Sequence, residues 1–254
     1  MNRTGLIVAL TVAVAVGIVF GVYPELDLAA SAPFYAITDA GHDVFALRLS
    51  PVVNGARDIG LWIVTALLAP SIMALVVKLI APRRKMLISG SAALLLMATM
   101  ALGPGLLANV ILKEHWGRPR PIDVTQFGGS QHFVPWWDPR GDCPGNCSFV
   151  SGDVSGAFWT LAPAALAPPQ WRALAYGGAL VFGTAMAAAR MMAGAHFFSD
   201  VVFAGVFTFL IVWTVHGLLY RWPTRLREDN IERLLEAIAP QTVLSRLFGR
   251  KTRA

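Results

Sequence analysis

The stretch ARMMAGAHFFSD (residues 189–200) lies between two apolar runs, GGALVFGTAMAA (177–188) and VVFAGVFTFLIVW (201–213). Runs of that kind, extended to about 20 residues, cross a bilayer as helices, so they decide the fold class. The interruption puts Arg190, His196 and Asp200 at the edge of hydrocarbon, where charged groups are costly and mark a functional site. The rest of the chain says which face of the membrane they occupy and what they bind.

Composition agrees with a membrane protein. Of 254 residues, 56% are hydrophobic and only 14% charged, and the mean hydropathy is +0.57, too apolar for an ordinary soluble domain. The net charge is +6, but the basic residues lie between and beyond the apolar runs instead of on one face, so a nucleic-acid partner is excluded.

The expected architecture is all-α, a polytopic membrane helix bundle with six transmembrane helices at about 5–23, 59–81, 86–112, 150–168, 173–192 and 198–220. The first run could end in a cleavable signal at Ala30-Ser31-Ala32, but its length reads as an uncleaved span. The fourth is the shortest and carries Pro163. Basic turns lie at 82–85 (PRRK) and 168–172 (PPQWR), and the tail from Arg221 holds eight Lys/Arg against four Asp/Glu. Residues 24–58 hold five Asp/Glu against two Arg. The positive-inside rule then puts both termini and both basic turns in the cytoplasm and the loops 24–58 and 113–149 outside. Residues 1–220 read as one six-span domain. Residues 221–254 read as a cytoplasmic amphipathic basic tail on the inner leaflet, or as a solvated one.

This topology gathers three polar segments at one outer face: KEHWGRPRP (113–121), SFVSGDVSG (148–156) and the Arg190–Asp200 stretch. Taken singly, each is ordinary: an interface anchor, a helix start, a structural histidine. Together they fit a phosphate. Lys113, Arg118, Arg120 and Arg190 supply cationic donors, and guanidinium forks match phosphate oxygens. Ser151 and Gly152 open a helix, where backbone N–H groups favour an anion. His196 and Asp200 are four apart on one helical face, a spacing that lets Asp200 orient the ring and makes His196 a nucleophile. Cys143 and Cys147, in CPGNC, form a small disulfide if the loop faces an oxidising compartment; otherwise they are free thiols. Phe133, Trp136 and Trp137 in the same outward loop suit an interface cap, either for a lipid entrance or as plain anchors.

The three segments resemble the tripartite motif of the type 2 phosphatidic acid phosphatase superfamily. Lys113 with Arg120-Pro121 is similar to its first motif. Val150-Ser151-Gly152-Asp153 is similar to its Pro-Ser-Gly-His, and Ala189-Arg190 with His196 and Asp200 to its third. The resemblance covers residues 55–220 and looks closest to the lipid A phosphatase branch. It implies a metal-independent, cofactor-free hydrolase of the bacterial inner membrane that acts at the periplasmic face on a phospholipid, a lipid A-type lipid or undecaprenyl pyrophosphate. It also implies roles. His196 forms a phosphohistidine, Asp200 orients it, and Lys113, Arg120 and Arg190 clamp the phosphate with Ser151 and Gly152. A phosphotransferase using the same intermediate, or a decayed site that only binds lipid phosphate, are the alternatives. Asp153 stands where the family has histidine. Either it is held protonated as the general acid, or it pairs with Lys113 or Arg118 while His115 or the substrate supplies the proton.

Overall fold

The computed structural model describes residues 3–37, 43–81 and 85–222, with isolated positions at 230, 233 and 237. Residues 82–84 of the first basic turn, and nearly all of the tail expected at 221–254, lie outside the described residues.

The chain is mostly helical. Among the described residues, four helices are long and apolar enough to cross a membrane: Arg3–Val22 (α1), Pro51–Ile80 (α3), the rod Gly90–His115 and Phe198–Arg221. A short α2, Glu25–Ser31, follows the first of these. The rod begins as α4, Gly90–Met100, and widens to a π-helix over Ala101–Leu112 before closing as α5, Lys113–His115. Pro104 has no N–H and cannot continue the regular ladder, and Asn109 Nδ2 donates to the Pro104 carbonyl at 2.7 Å.

The expected fourth span is two short helices, α6 (Gly152–Trp159) and α7 (Leu161–Leu166), broken at Thr160. Pro163 removes an N–H there, and Thr160 Oγ1 turns back to the Ala157 carbonyl at 2.6 Å. The fifth is α8, Pro169–Met192, long enough to cross but diluted by Gln170, Arg172 and Arg190. The last apolar helix is α9, Phe198–His216, with a π-helical turn to Arg221.

The fold is not purely helical. Between α2 and α3, β1 (Tyr35–Ile37) pairs antiparallel with β2 (Asp43–Phe45), Tyr35 opposite Phe45. The cause is aromatic packing: Phe45, buried, meets Tyr35 and Phe127 with ring centroids 5.7 and 5.4 Å apart, in a cluster with Phe197.

Packing in the bundle rests on small residues facing large ones, as expected where lipid supplies no hydrophobic drive between helices. Phe158 of α6 fits between α8 and α9 at two glycines. A Cβ at Gly183 would lie 2.6 Å from its ring, and one at Gly205 2.9 Å. Trp159, fully buried, donates from Nε1 to Thr99 Oγ1 at 2.9 Å. Helix α1 has no buried residue. It is held by Phe20 stacked on Phe198 at 5.1 Å, and by the indoles of Trp136 and Trp137, which donate to the Gly17 and Gly21 carbonyls at 3.3 Å.

The Phe158 wedge gives a contrast within one helix. Gly183→Val is expected to lower stability by about 1–3 kcal/mol, whereas Gly177→Val, where a Cβ meets nothing within 4 Å, is not; thermal unfolding in detergent compares the two at equal helix propensity.

Candidate active site

The structure brings Lys113, Arg120, Asp153, Arg190 and His196 together at the ends of the rod, α6, α8 and α9. His196 lies in the short link between α8 and α9 and is 1% exposed. Gly194, with φ at +64°, makes the turn, and a Cβ there would run into the Phe45 ring. Phe45 of β2 therefore buttresses the histidine loop.

The His196 ring is fixed by a partner that sequence spacing did not point to. Its Nδ1 lies 2.7 Å from the Ser148 carbonyl. A carbonyl only accepts, so Nδ1 carries the hydrogen and Nε2 of the neutral ring keeps its lone pair. Burial holds this imidazole well below its usual range, and Arg120, Arg190 and Lys113 push it the same way, against the Ser148 hydrogen bond. The result is a neutral imidazole beside fixed cations.

Asp200 acts one step further back than the four-residue spacing suggested. It makes no hydrogen bond with the ring; its carboxylate accepts from Ser148 Oγ at 2.5 Å and from the Phe197 N–H at 2.9 Å, and pairs with Arg118. It thus fixes Ser148, and Ser148 fixes His196.

Arg118 requires a correction. Expected among the phosphate donors, it has no exposed surface and is spent on structure. Its Nη2 pairs with Asp27 at 2.8 Å, Nη1 donates to Ser199 Oγ at 2.8 Å and pairs with Asp200, and Nε donates to the Val134 carbonyl at 3.1 Å. The Phe197 ring lies 4.5 Å from its guanidinium carbon. Asp27 also accepts from Ser199 Oγ at 2.6 Å and Ser199 N at 2.9 Å. The first Arg-Pro of GRPRP is thus structural, and only the second reaches the site.

Arg120 is aimed by the cysteine loop. Cys143 and Cys147 are joined in a disulfide, and the loop lies along the first motif through Cys147 N to the Lys113 carbonyl and Ser148 N to the Arg118 carbonyl, both 2.8 Å. Asn146, at φ +52°, accepts from Arg120 Nη2 through its carbonyl at 2.7 Å and its Oδ1 at 2.8 Å. Two guanidinium nitrogens are held this way, counting the Nε contact at 3.1 Å.

Ser151 caps α6, its Oγ accepting from Val154 N at 3.4 Å, and Gly152 lies so close to Asn109 that a Cβ would overlap the amide. The first-turn N–H groups of α6 begin there without intrahelical partners. Asp153 pairs with neither Lys113 nor Arg118. One of its oxygens meets Arg57 Nε at 2.9 Å and Arg190 Nε at 3.1 Å. Of the expected aromatic cap, Trp137 is exposed, while Phe133 packs on Phe197 and Trp136 on Phe203. Among the described residues, no three His, Cys, Asp or Glu side chains converge as metal ligands would.

Residues 92–227, more than half of the chain and the whole span of these motifs, match the PAP2 superfamily. The chain belongs to the PAP2 superfamily. The chain is similar to a lipid A 4'-phosphatase of Francisella tularensis subsp. novicida, 46% identical over 121 residues, which cover 47% of this chain and 54% of that protein. A lipid A 4'-phosphatase of Rhizobium leguminosarum is 42% identical over 106 residues, 42% of this chain and 46% of that protein. The chain spans about half the length of the curated relatives it matches. No solved structure matches it. Two site residues, Arg57 and Asp27, precede the PAP2 match, which is why the motifs could not find them.

Two outcomes follow from this geometry. Arg118→Met leaves Asp27 and Asp200 buried without their cation and is expected to cost about 3–5 kcal/mol, read as loss of the folded species in detergent. The His196 ring signal in NMR is expected to stay at its neutral position from pH 8 down through about 6.5, where an ordinary histidine takes up its proton; titration near that value contradicts the burial argument.

Proposed function

We propose that this chain is a phosphatase of the bacterial inner membrane that removes a phosphate from a lipid A-type lipid at the periplasmic face. The observation that carries the reading is the neutral His196, its Nδ1 held by Ser148 and its surroundings cationic. Such an imidazole is poised as a nucleophile, and the cations match the charge that phosphoryl transfer develops.

The substrate group is a phosphate monoester. Lys113, Arg120 and Arg190 bind the phosphate oxygens, joined by the first-turn N–H groups after Ser151 and Gly152. His196 Nε2 attacks phosphorus, the N–P bond forms and the ester P–O bond breaks. The leaving oxygen takes a proton carried by the substrate phosphate and relayed by Asp153, two anions sharing one proton. Water then attacks phosphorus, the N–P bond breaks, and inorganic phosphate leaves with Nε2 restored. Asp200 contributes through Ser148. None of these steps requires a metal ion or cofactor.

The lipid part of the reading has its own support. An apolar cavity of about 920 Å³ runs between α1, α8 and α9, lined by Val8, Val12, Leu180, Ala188, Val202 and Phe209. It reaches Met191 and Phe198, neighbours of Arg190 and of the His196 loop. An acyl chain there keeps its phosphate at the site. Six crossings follow if α6–α7 and α8 join the four long apolar helices, with residues 1–220 as the membrane domain and 221–254 as a cytoplasmic tail. The relatives named lipid A 4'-phosphatase favour that lipid over undecaprenyl pyrophosphate.

The test is phosphate release by the detergent-solubilised protein from lipid A, undecaprenyl pyrophosphate, phosphatidylglycerophosphate and phosphatidic acid, with chelator present. Release is expected from lipid A, lost in His196→Ala and slowed at least tenfold in kcat by Asp153→Asn. Release that survives His196→Ala overturns the mechanism. No release without an added acceptor lipid, and phosphate transfer with one, assigns a transferase.

A further inference from the structure

Asp153 poses an electrostatic problem that the family motif does not have. Where the motif carries histidine, this chain puts a carboxylate among the groups that must receive an anion, and like charges repel at that distance. The structure contains the remedy. Asp153 Oδ2 is shared by Arg57 Nε at 2.9 Å and Arg190 Nε at 3.1 Å. Arg190 is already committed to the phosphate reading, so the carboxylate would otherwise consume one of three clamp cations. Arg57 lies on α3, 96 positions earlier and outside the PAP2 match. Its side chain remains 39% exposed, against 14% for Arg190 and 17% for Asp153. Arg57 is also within electrostatic reach of Lys113 and Arg190, though no phosphate motif includes it.

We propose that Arg57 is a positioning residue for the phosphate site, acting through Asp153. It balances the carboxylate, so that Lys113, Arg120 and Arg190 keep their charge for the substrate and Asp153 remains at the site as a proton relay. Arg57 and Asp153 form one unit that stands in for the family histidine: the carboxyl moves the proton, and the guanidinium cancels its charge. When phosphate arrives and draws Arg190, the Arg57 contact alone holds Asp153 in place. The inference rests on the phosphate-site reading, and it adds a residue from a helix that the motifs do not touch.

The two ideas separate in one set of measurements. Inorganic phosphate binding, by calorimetry on the detergent-solubilised full chain, needs no turnover. Arg57→Gln is expected to weaken phosphate about tenfold in the Asp153 background and by less than about twofold in an Asp153→Asn background, a coupling typical of residues in contact. Arg57→Lys retains most of the affinity. In turnover, Arg57→Gln raises KM more than it lowers kcat, while Asp153→Asn does the reverse. Asp153→His is expected to make Arg57 dispensable. An equal loss of phosphate affinity in both backgrounds would mean that Arg57 touches phosphate independently, and it overturns the proposal. So does an Arg57→Gln protein that binds phosphate as the wild type does. Wild-type protein that binds no phosphate overturns the site reading itself.

Discussion

A guanidinium removed wholly from water is tolerated only when its charge is matched and its N–H groups find acceptors. Arg118 has two carboxylates facing its charge and acceptors for its Nε and both Nη atoms, and distant segments of the chain supply them. Asp27 comes from α2, Asp200 and Ser199 from α9, and the Val134 carbonyl from the long loop before α6. Those segments are held in register by one buried guanidinium and its two buried carboxylates. The same carboxylate that answers Arg118 also receives Ser148, whose carbonyl selects the tautomer of His196. The imidazole is therefore positioned by a relay whose last member, Asp200, makes no hydrogen bond to the ring.

What the sequence made legible follows a physical divide. Long apolar runs declare themselves by length, so α1, α3, the rod and α9 lie close to where hydropathy put them. The helix ends were less legible: α3 starts at Pro51, not 59, because the polar turn NGAR continues a helix that hydropathy assigns to the loop. The fourth crossing was weak in sequence for the reason it is broken in space, Pro163. The strand pair Tyr35–Ile37 and Asp43–Phe45 was missed because three-residue strands are below the reach of periodicity. At the site, motif spacing identified which residues converge but not which of the cations is spent on structure. Arg118 and Arg120 differ by two positions and look alike in sequence. Only burial separates them, together with the reach of Asp27 and Asn146, and those partners come from 91 and 26 positions away.

The acidic second motif changes how the site balances its charge. A histidine at position 153 would carry no negative charge to offset. The carboxylate brings one, and with it a need that α3 answers through Arg57. The local substitution and the distant arginine are intelligible together, since Arg57 without Asp153 adds a cation beside Arg190, and Asp153 without Arg57 keeps Arg190 as its one ion-pair partner among the described residues. A similar economy governs Arg120, whose approach angle is set by a five-residue loop that the Cys143–Cys147 bond keeps closed.

The PAP2 match begins at residue 92, yet Asp27 and Arg57 both reach the residues around His196. The family core is thus not a separable module in this chain. A fragment starting at residue 92 would keep every motif residue and still expose one face of Arg118 to an unmatched environment. It would also return Asp153 to Arg190 alone. For anyone trimming, fusing or transplanting the domain, the practical boundary is electrostatic and lies before Asp27, well upstream of where sequence likeness ends.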